Sequence, residues 1–128
     1  MNPHDFLAQA TDCFDVNHVR ELRDLAEPGE PDFFAELAQL YLQSAPPLLA
    51  ELASALACAD AALAREKAHA LKGMSGNLGA FRLHEAAAFL EEKAKKGMET
   101  LFPTDLDQVL LAHRRVEEVL RSFFTETS

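Results

Sequence analysis

The chain has 128 residues, 48% of them hydrophobic, which is enough for one domain around one core. Alanine and leucine dominate, with no tryptophan and one tyrosine, so the composition favours helix over strand. A formal charge of −9 argues against a nucleic acid partner and against an acidic membrane surface, since either would repel it. The beginning, MNPHDFLAQATD, shows no basic segment followed by an apolar run, and no stretch reaches the roughly 18 apolar residues of a membrane span. Cys13 and Cys58 have no metal-type spacing and are too few for a disulfide framework. A cytoplasmic protein with reduced thiols is the expectation.

After a short head, DVNHVRELRDLA places Val16, Val19, Leu22 and Leu25/Ala26 on one stripe, which predicts a short amphipathic helix. EPGEP at 27–31 punctuates the chain, and Pro31 suits the beginning of a helix. From Asp32 to Cys58 the apolar positions Phe33, Leu37, Leu40/Tyr41, Leu48, Leu52 and Leu56 keep helical period straight across Pro46-Pro47. Because the phase survives the prolines, one bent helix is expected rather than two. Asp60 can cap a helix over 61–78, and Gly79 stands where a C-terminal cap would. A further helix runs from Ala80 or Phe81 to Lys96, closed by Lys93, Lys95, Lys96 and Gly97. METLFP reads as a loop, and Thr104 with Asp107 as a capping box. The last helix, 105–124, stripes Leu106, Val109/Leu110, His113, Val116, Leu120 and Phe123/Phe124. Four long helices with short connections predict an all-α fold, an antiparallel four-helix bundle with the short additional N-terminal helix capping one end. One domain over 1–128 is expected, its core at about 14–124. Such a bundle buries its stripes within one chain, so a monomer is expected.

At roughly 100° per residue, the core stripe of the 61–78 helix reads Leu63, Ala70, Leu71, Met74 and Leu78. His69 lies nearly opposite Leu71, on an outer face shared with Arg65, Lys72, Gly73 and Gly76. Lys67 falls near the core side, its stem covered and its amine reaching solvent, whereas Lys72 is expected to be exposed. Each glycine inside a helix costs about 1 kcal/mol relative to alanine, so two of them beside a histidine need a reason. Helical side chains lean toward the N-terminus, so a side chain at 73 would lie back over the imidazole, and Gly76 would flatten the same face one turn on. Close helix packing is the other reason, and the sequence leaves both open.

An exposed neutral imidazole is a good nucleophile near neutral pH. With no serine nucleophile, base or oxyanion hole beside it, the face suits a carrier better than a hydrolase. A lysine one turn away suits a phosphoryl group as the cargo.

AHALKGMSGNLGAFRL, followed by LEEKAKKG, resembles the histidine-containing phosphotransfer (HPt) domain of two-component phosphorelays. The residues that carry the resemblance are His69, Lys72, Gly73, Gly79-Ala80, Leu83 and Leu90-Glu91. The resemblance implies a phosphorelay intermediate without catalysis of its own. His69 Nε2 would accept a phosphoryl group from an aspartate of a receiver domain, in a response regulator or a hybrid histidine kinase, or pass one on. Lys72 would steady the phosphate and Gly73 would give clearance, with Arg65 and Gly76 completing the docking face. The chain itself would need no cofactor, and Mg²⁺ is expected on the partner receiver domain.

Some members of that family place a glutamine on the following helix to hold the other ring nitrogen, and the matching position here is Glu91. Counting agrees: His69 is ten residues before the turn at Gly79, so residues 89–91 lie level with it on an antiparallel neighbour. A carboxylate there can accept from Nδ1–H and orient the ring, but it would also repel the incoming phosphoryl group. A plain solvated helix charge is the other reading. His113, on an apolar stripe, is expected in the core or between helices. His4, His18 and His84 have no partner at ligand spacing, so no metal site is expected. Two other functions stay in view: a non-phosphorylated binding module for a kinase or receiver, and the input domain of a chemotaxis-type kinase. The intact His-x-x-Lys-Gly speaks against the first, and the absence of an ATP-binding domain from this chain against the second. The methionine start and the complete helix set favour a free-standing protein.

Overall fold

The computed structural model describes residues 10–127; the head with His4 lies outside them. Among the described residues five α-helices follow in order: α1 Val16–Asp24, α2 Phe33–Ala57, α3 Ala61–Leu78, α4 Phe81–Lys96 and α5 Pro103–Thr127. No strand occurs among the described residues, so the fold is all-α. None of these helices is long and apolar enough to cross a membrane.

Local chemistry sets most boundaries. Asp15 caps α1 by accepting from the N–H groups of Asn17 and His18, and Asp32 caps α2 by accepting from Phe34 and Ala35. Arg23 Nε donates to the same Asp32 carboxylate at 2.9 Å, tying the end of α1 to the start of α2. Asp60 caps α3 through the Leu63 N–H at 3.0 Å, and Gly79, at φ +76°, ends it in the left-handed conformation that favours glycine. As expected, α2 continues through Pro46 and Pro47 as one helix. The last helix departs from expectation: it starts at Pro103, not 105. Its cap is not the Thr104–Asp107 pair. The Asp105 carboxylate reaches back to accept from the Phe102 N–H at 2.8 Å and is itself held by Lys93. Proline at the first helical position lacks only an N–H that would have had no partner. The METLFP segment contains a 3₁₀ turn, Met98–Thr100, rather than being irregular throughout.

Consecutive helices pack against one another and α2 also meets α5, which closes the four long helices into a bundle. The buried stripes differ from the expected ones in detail. In α2 the core positions are Phe34, Ala38, Tyr41, Ala45, Leu49, Leu52 and Ala55, while Phe33 and Leu40 are exposed. In α3 they are Ala64, Ala68, Leu71, Ser75 and Leu78; Ala70 is exposed, and Leu63 and Met74 are only partly buried. The reason is steric. Alanine and serine at the seams let the helix axes approach closely, and larger side chains then flank the seam instead of filling it. Ser75 is tolerated there because its hydroxyl bonds back to Leu71 O at 2.8 Å.

The short helix α1 covers the end where α3 turns into α4. The Asp15 N–H donates to Gly79 O at 2.8 Å, and His18 Nε2–H donates to Asn77 O at 2.8 Å. Phe14, Phe34 and Phe123 stack edge to face at the same end, with centroids 6.0 and 5.4 Å apart. α1 ends at Asp24, before the expected stripe does, and leaves Leu25 exposed.

Candidate functional site

α3 turns His69 outward, with 69% of its side chain exposed. The antiparallel neighbour α4 brings Glu91 level with it, as counting from the Gly79 turn predicts. Glu91 is only 3% exposed, yet its carboxylate is fully occupied. Oε2 accepts from His69 Nδ1–H at 2.7 Å and Oε1 accepts from the Lys72 ammonium at 2.6 Å. Of the two earlier readings of Glu91, the solvated helix charge is therefore excluded.

Burial alone would raise the Glu91 pKa, but the hydrogen bonds from Lys72 and His69 outweigh it and hold the carboxyl below its ordinary 4.5. At neutral pH the group is a carboxylate and can only accept. The proton therefore sits on His69 Nδ1, and the lone pair sits on Nε2. His69 lines a shallow depression of about 390 Å³ together with Ala62, Arg65, Glu66 and Glu91. Arg65 is exposed at its edge. An imidazole with one nitrogen fixed by a carboxylate and the other open to solvent is a nucleophile with a defined direction of attack.

Lys72 is less exposed than the sequence suggests. Its side chain is 30% exposed, and its ammonium is held one turn from His69 by the shared carboxylate. The two glycines separate into two different roles. A Cβ placed on Gly73 would meet nothing within 4 Å, so no packing inside the bundle demands glycine there. A Cβ on Gly76 would stand 3.0 Å from His84 Nδ1 and 3.3 Å from Cε1. Gly76 is therefore occupied from within by α4. The docking clearance expected of it is corrected to an internal close approach between helices.

Sequence reading missed His84 as a neighbour of this site. Its Nδ1–H donates to Lys72 O at 3.0 Å. One signal was available: His84 precedes Glu91 by seven residues, so the two share a face of α4. Lys67, as expected, lies partly covered, with its ammonium 2.6 Å from Glu51 on α2. His113 is buried between α2 and α5, where Tyr41 Oη lies 2.5 Å from its Nδ1.

A family model described as the Hpt domain matches residues 36–122, a span that contains His69, Lys72, Gly73 and Glu91. No match was found among curated proteins.

Proposed function

Since the chain belongs to the Hpt domain family, whose members are phosphotransfer modules of two-component signalling and partner response regulators and kinases, we propose that it relays a phosphoryl group through His69. The group is exchanged with aspartates of receiver domains, and the chain acts as a phosphocarrier without catalysis of its own. In the forward step the Nε2 lone pair attacks phosphorus while the bond from phosphorus to the aspartate oxygen breaks, and the aspartate leaves as a carboxylate. No proton has to move. The Nδ1–H remains on the ring, the product is a phosphoimidazolium, and the Glu91 carboxylate offsets its new positive charge. The return step is the same path reversed. The receiver would bring Mg²⁺ and the in-line geometry.

In this reading Glu91 is a positioning residue. Its repulsion of the incoming phosphoryl group is reduced by Lys72, which neutralises it and stands one turn from the acceptor. Gly73 leaves the ring uncovered, and Arg65 lies at the rim where a receiver would sit. The observation that carries the reading is the His69 Nδ1–H bond to a buried carboxylate while the rest of the ring stays open.

The test is incubation with a phosphorylated receiver domain. A label that is acid-labile and base-stable, and that vanishes in His69→Gln, is the expected result. Persistent labelling of that variant would sink the assignment.

A further inference from the structure

His84 takes no part in the phosphotransfer step, and its placement is specific. Its ring lies across the α3 backbone in the space that Gly76 leaves, with Nδ1 3.0 Å from the carbonyl oxygen of Lys72. A carbonyl can only accept, so Nδ1 carries the proton. Ser75 Oγ lies 3.1 Å from the same carbonyl, but its one proton goes chiefly to Leu71 O at 2.8 Å, so His84 is the main side-chain donor to Lys72 O. α4 thus grips Lys72 at two points. Glu91 takes its ammonium at 2.6 Å, and His84 takes its backbone.

The segment held in this way contains both Gly73 and Gly76, the poorest helix formers short of proline. It is the stretch of α3 with the least intrinsic reason to keep one geometry. It also carries the two groups, on His69 and Lys72, that must meet one carboxylate within 2.7 Å. Gly76 weakens the helix, and the same missing Cβ admits the ring that steadies it.

We infer that His84 is a positioning residue for the phosphoacceptor: seated on Gly76, its Nδ1–H bond to Lys72 O fixes α3 against α4 so that His69 and Lys72 share Glu91. The inference rests on the phosphoacceptor reading of His69, deepens it, and assigns Gly76 to the same device. His84→Leu keeps bulk and removes the donor. His84→Asn returns an amide N–H close to where Nδ1–H lies. Gly76→Ala raises helix preference but drives a methyl group into the ring.

The experiment uses the full chain with ¹⁵N-labelled histidine and two readouts: the His69 ring ¹⁵N and Nδ1–H resonances, and the rate of transfer from a phosphorylated receiver. In His84→Leu and in Gly76→Ala the His69 ring resonances should move and transfer should slow by about ten- to a hundredfold, the scale on which residues that orient a reactive histidine act at metal sites. Far-UV circular dichroism should stay unchanged, and His84→Asn should restore both readouts. The double variant Gly76→Ala/His84→Ala removes the collision but not the need for the donor, so it should fold and still transfer slowly. If His84→Leu does not fold, Gly76→Ala carries the same comparison. Wild-type resonances and rates in His84→Leu or Gly76→Ala would overturn the inference, as would a His84→Asn as impaired as His84→Leu. If the wild-type chain accepts no phosphoryl group from any receiver, the phosphoacceptor reading fails, and the ring resonances alone still decide the positioning role.

Discussion

His69 and His113 are both helix-borne histidines next to a glutamate, and they are built for opposite purposes. His69 stands on the outside of α3, one nitrogen held by Glu91 at 2.7 Å and 69% of its side chain open. His113 is 9% exposed in the seam between α2 and α5. There Nδ1 meets the Tyr41 hydroxyl at 2.5 Å, and Nε2 faces Glu117 at 3.5 Å. Burial holds His113 below the ordinary imidazole pKa of 6.5, against the pull of Glu117. It is kept neutral as part of the packing. The contrast shows that a nearby carboxylate does not make a histidine reactive. What separates the two is where burial falls: on the carboxylate at His69, and on the imidazole at His113.

The largest expected difference comes from deleting each side of the comparison. His69→Gln should abolish phosphoryl acceptance while the chain still folds, because the glutamine amide N–H can donate to Glu91 in place of Nδ1–H. Tyr41→Phe should do the reverse. It leaves a buried ring nitrogen without its partner, which costs about 1–3 kcal/mol, and transfer should run at the wild-type rate. Denaturant unfolding and receiver transfer, measured on both variants, check the pair. A Tyr41→Phe protein that folds as well as wild type but no longer transfers would erase the distinction.

Glu91→Gln sharpens it next. A carboxylate accepts from two cationic or N–H donors at once, whereas the single amide oxygen has to serve both, and the amide nitrogen can only donate. One of His69 and Lys72 therefore loses its bond. Transfer should slow by about ten- to a hundredfold with the helix content unchanged, and the His69 ring should lose its single orientation. Stopped-flow transfer with and without Glu91→Gln decides it.

The two sites also titrate in separate windows. The His113 pKa is depressed in the folded chain, so the unfolded chain takes up that proton first on acidification. Its contribution is complete above about pH 6.5 and is lost as pH falls toward the folded value. Glu91 is likewise depressed, from 4.5, so its contribution persists to lower pH and is lost only as pH falls through its folded pKa. A pH series of unfolding midpoints should show an upper limb that disappears in His113→Gln and a lower limb that shrinks in Glu91→Gln, the remainder belonging to Asp12, whose carboxyl the Arg115 hydrogen bonds also hold below its ordinary value. A single limb unaffected by either variant would contradict this assignment.

The smallest effect, and the one with the most informative sign, belongs to Gly73→Leu. Open space around its Cβ predicts a gain of about 0.5–1 kcal/mol from helix preference. The new side chain would lean back across the imidazole, so transfer from a receiver should collapse while a small phosphodonor still labels the protein. Loss of stability in that variant would place Gly73 with Gly76 as a packing glycine.

What could be read ahead of the structure was local or countable. The Asp60 and Gly79 caps depend on a few neighbouring residues, and counting back from one turn set residues 89–91 level with His69 without deciding that Glu91 bonds it. The α2 seam was not legible to the residue, because Phe33 and Phe34 are equally apolar and only the close approach permitted by Ala38 and Ala45 selects one. Glu91 holding Lys72 as well as His69 depends on a burial that no pattern on α4 announces. The Gly76–His84 contact is a matter of tenths of an ångström between two helix axes, which sequence spacing does not encode.

The central claim is that the Glu91 bond leaves Nε2 of His69 as the phosphoryl acceptor. The direct measurement is the ¹⁵N and ³¹P spectrum of the chain after phosphorylation by a receiver domain, with ¹⁵N in the histidine rings. The expected result is one phosphoryl group, coupled to Nε2 of His69, with the Nδ1–H still bonded to Glu91. Phosphorus coupled to Nδ1, or to any other histidine, would contradict the account.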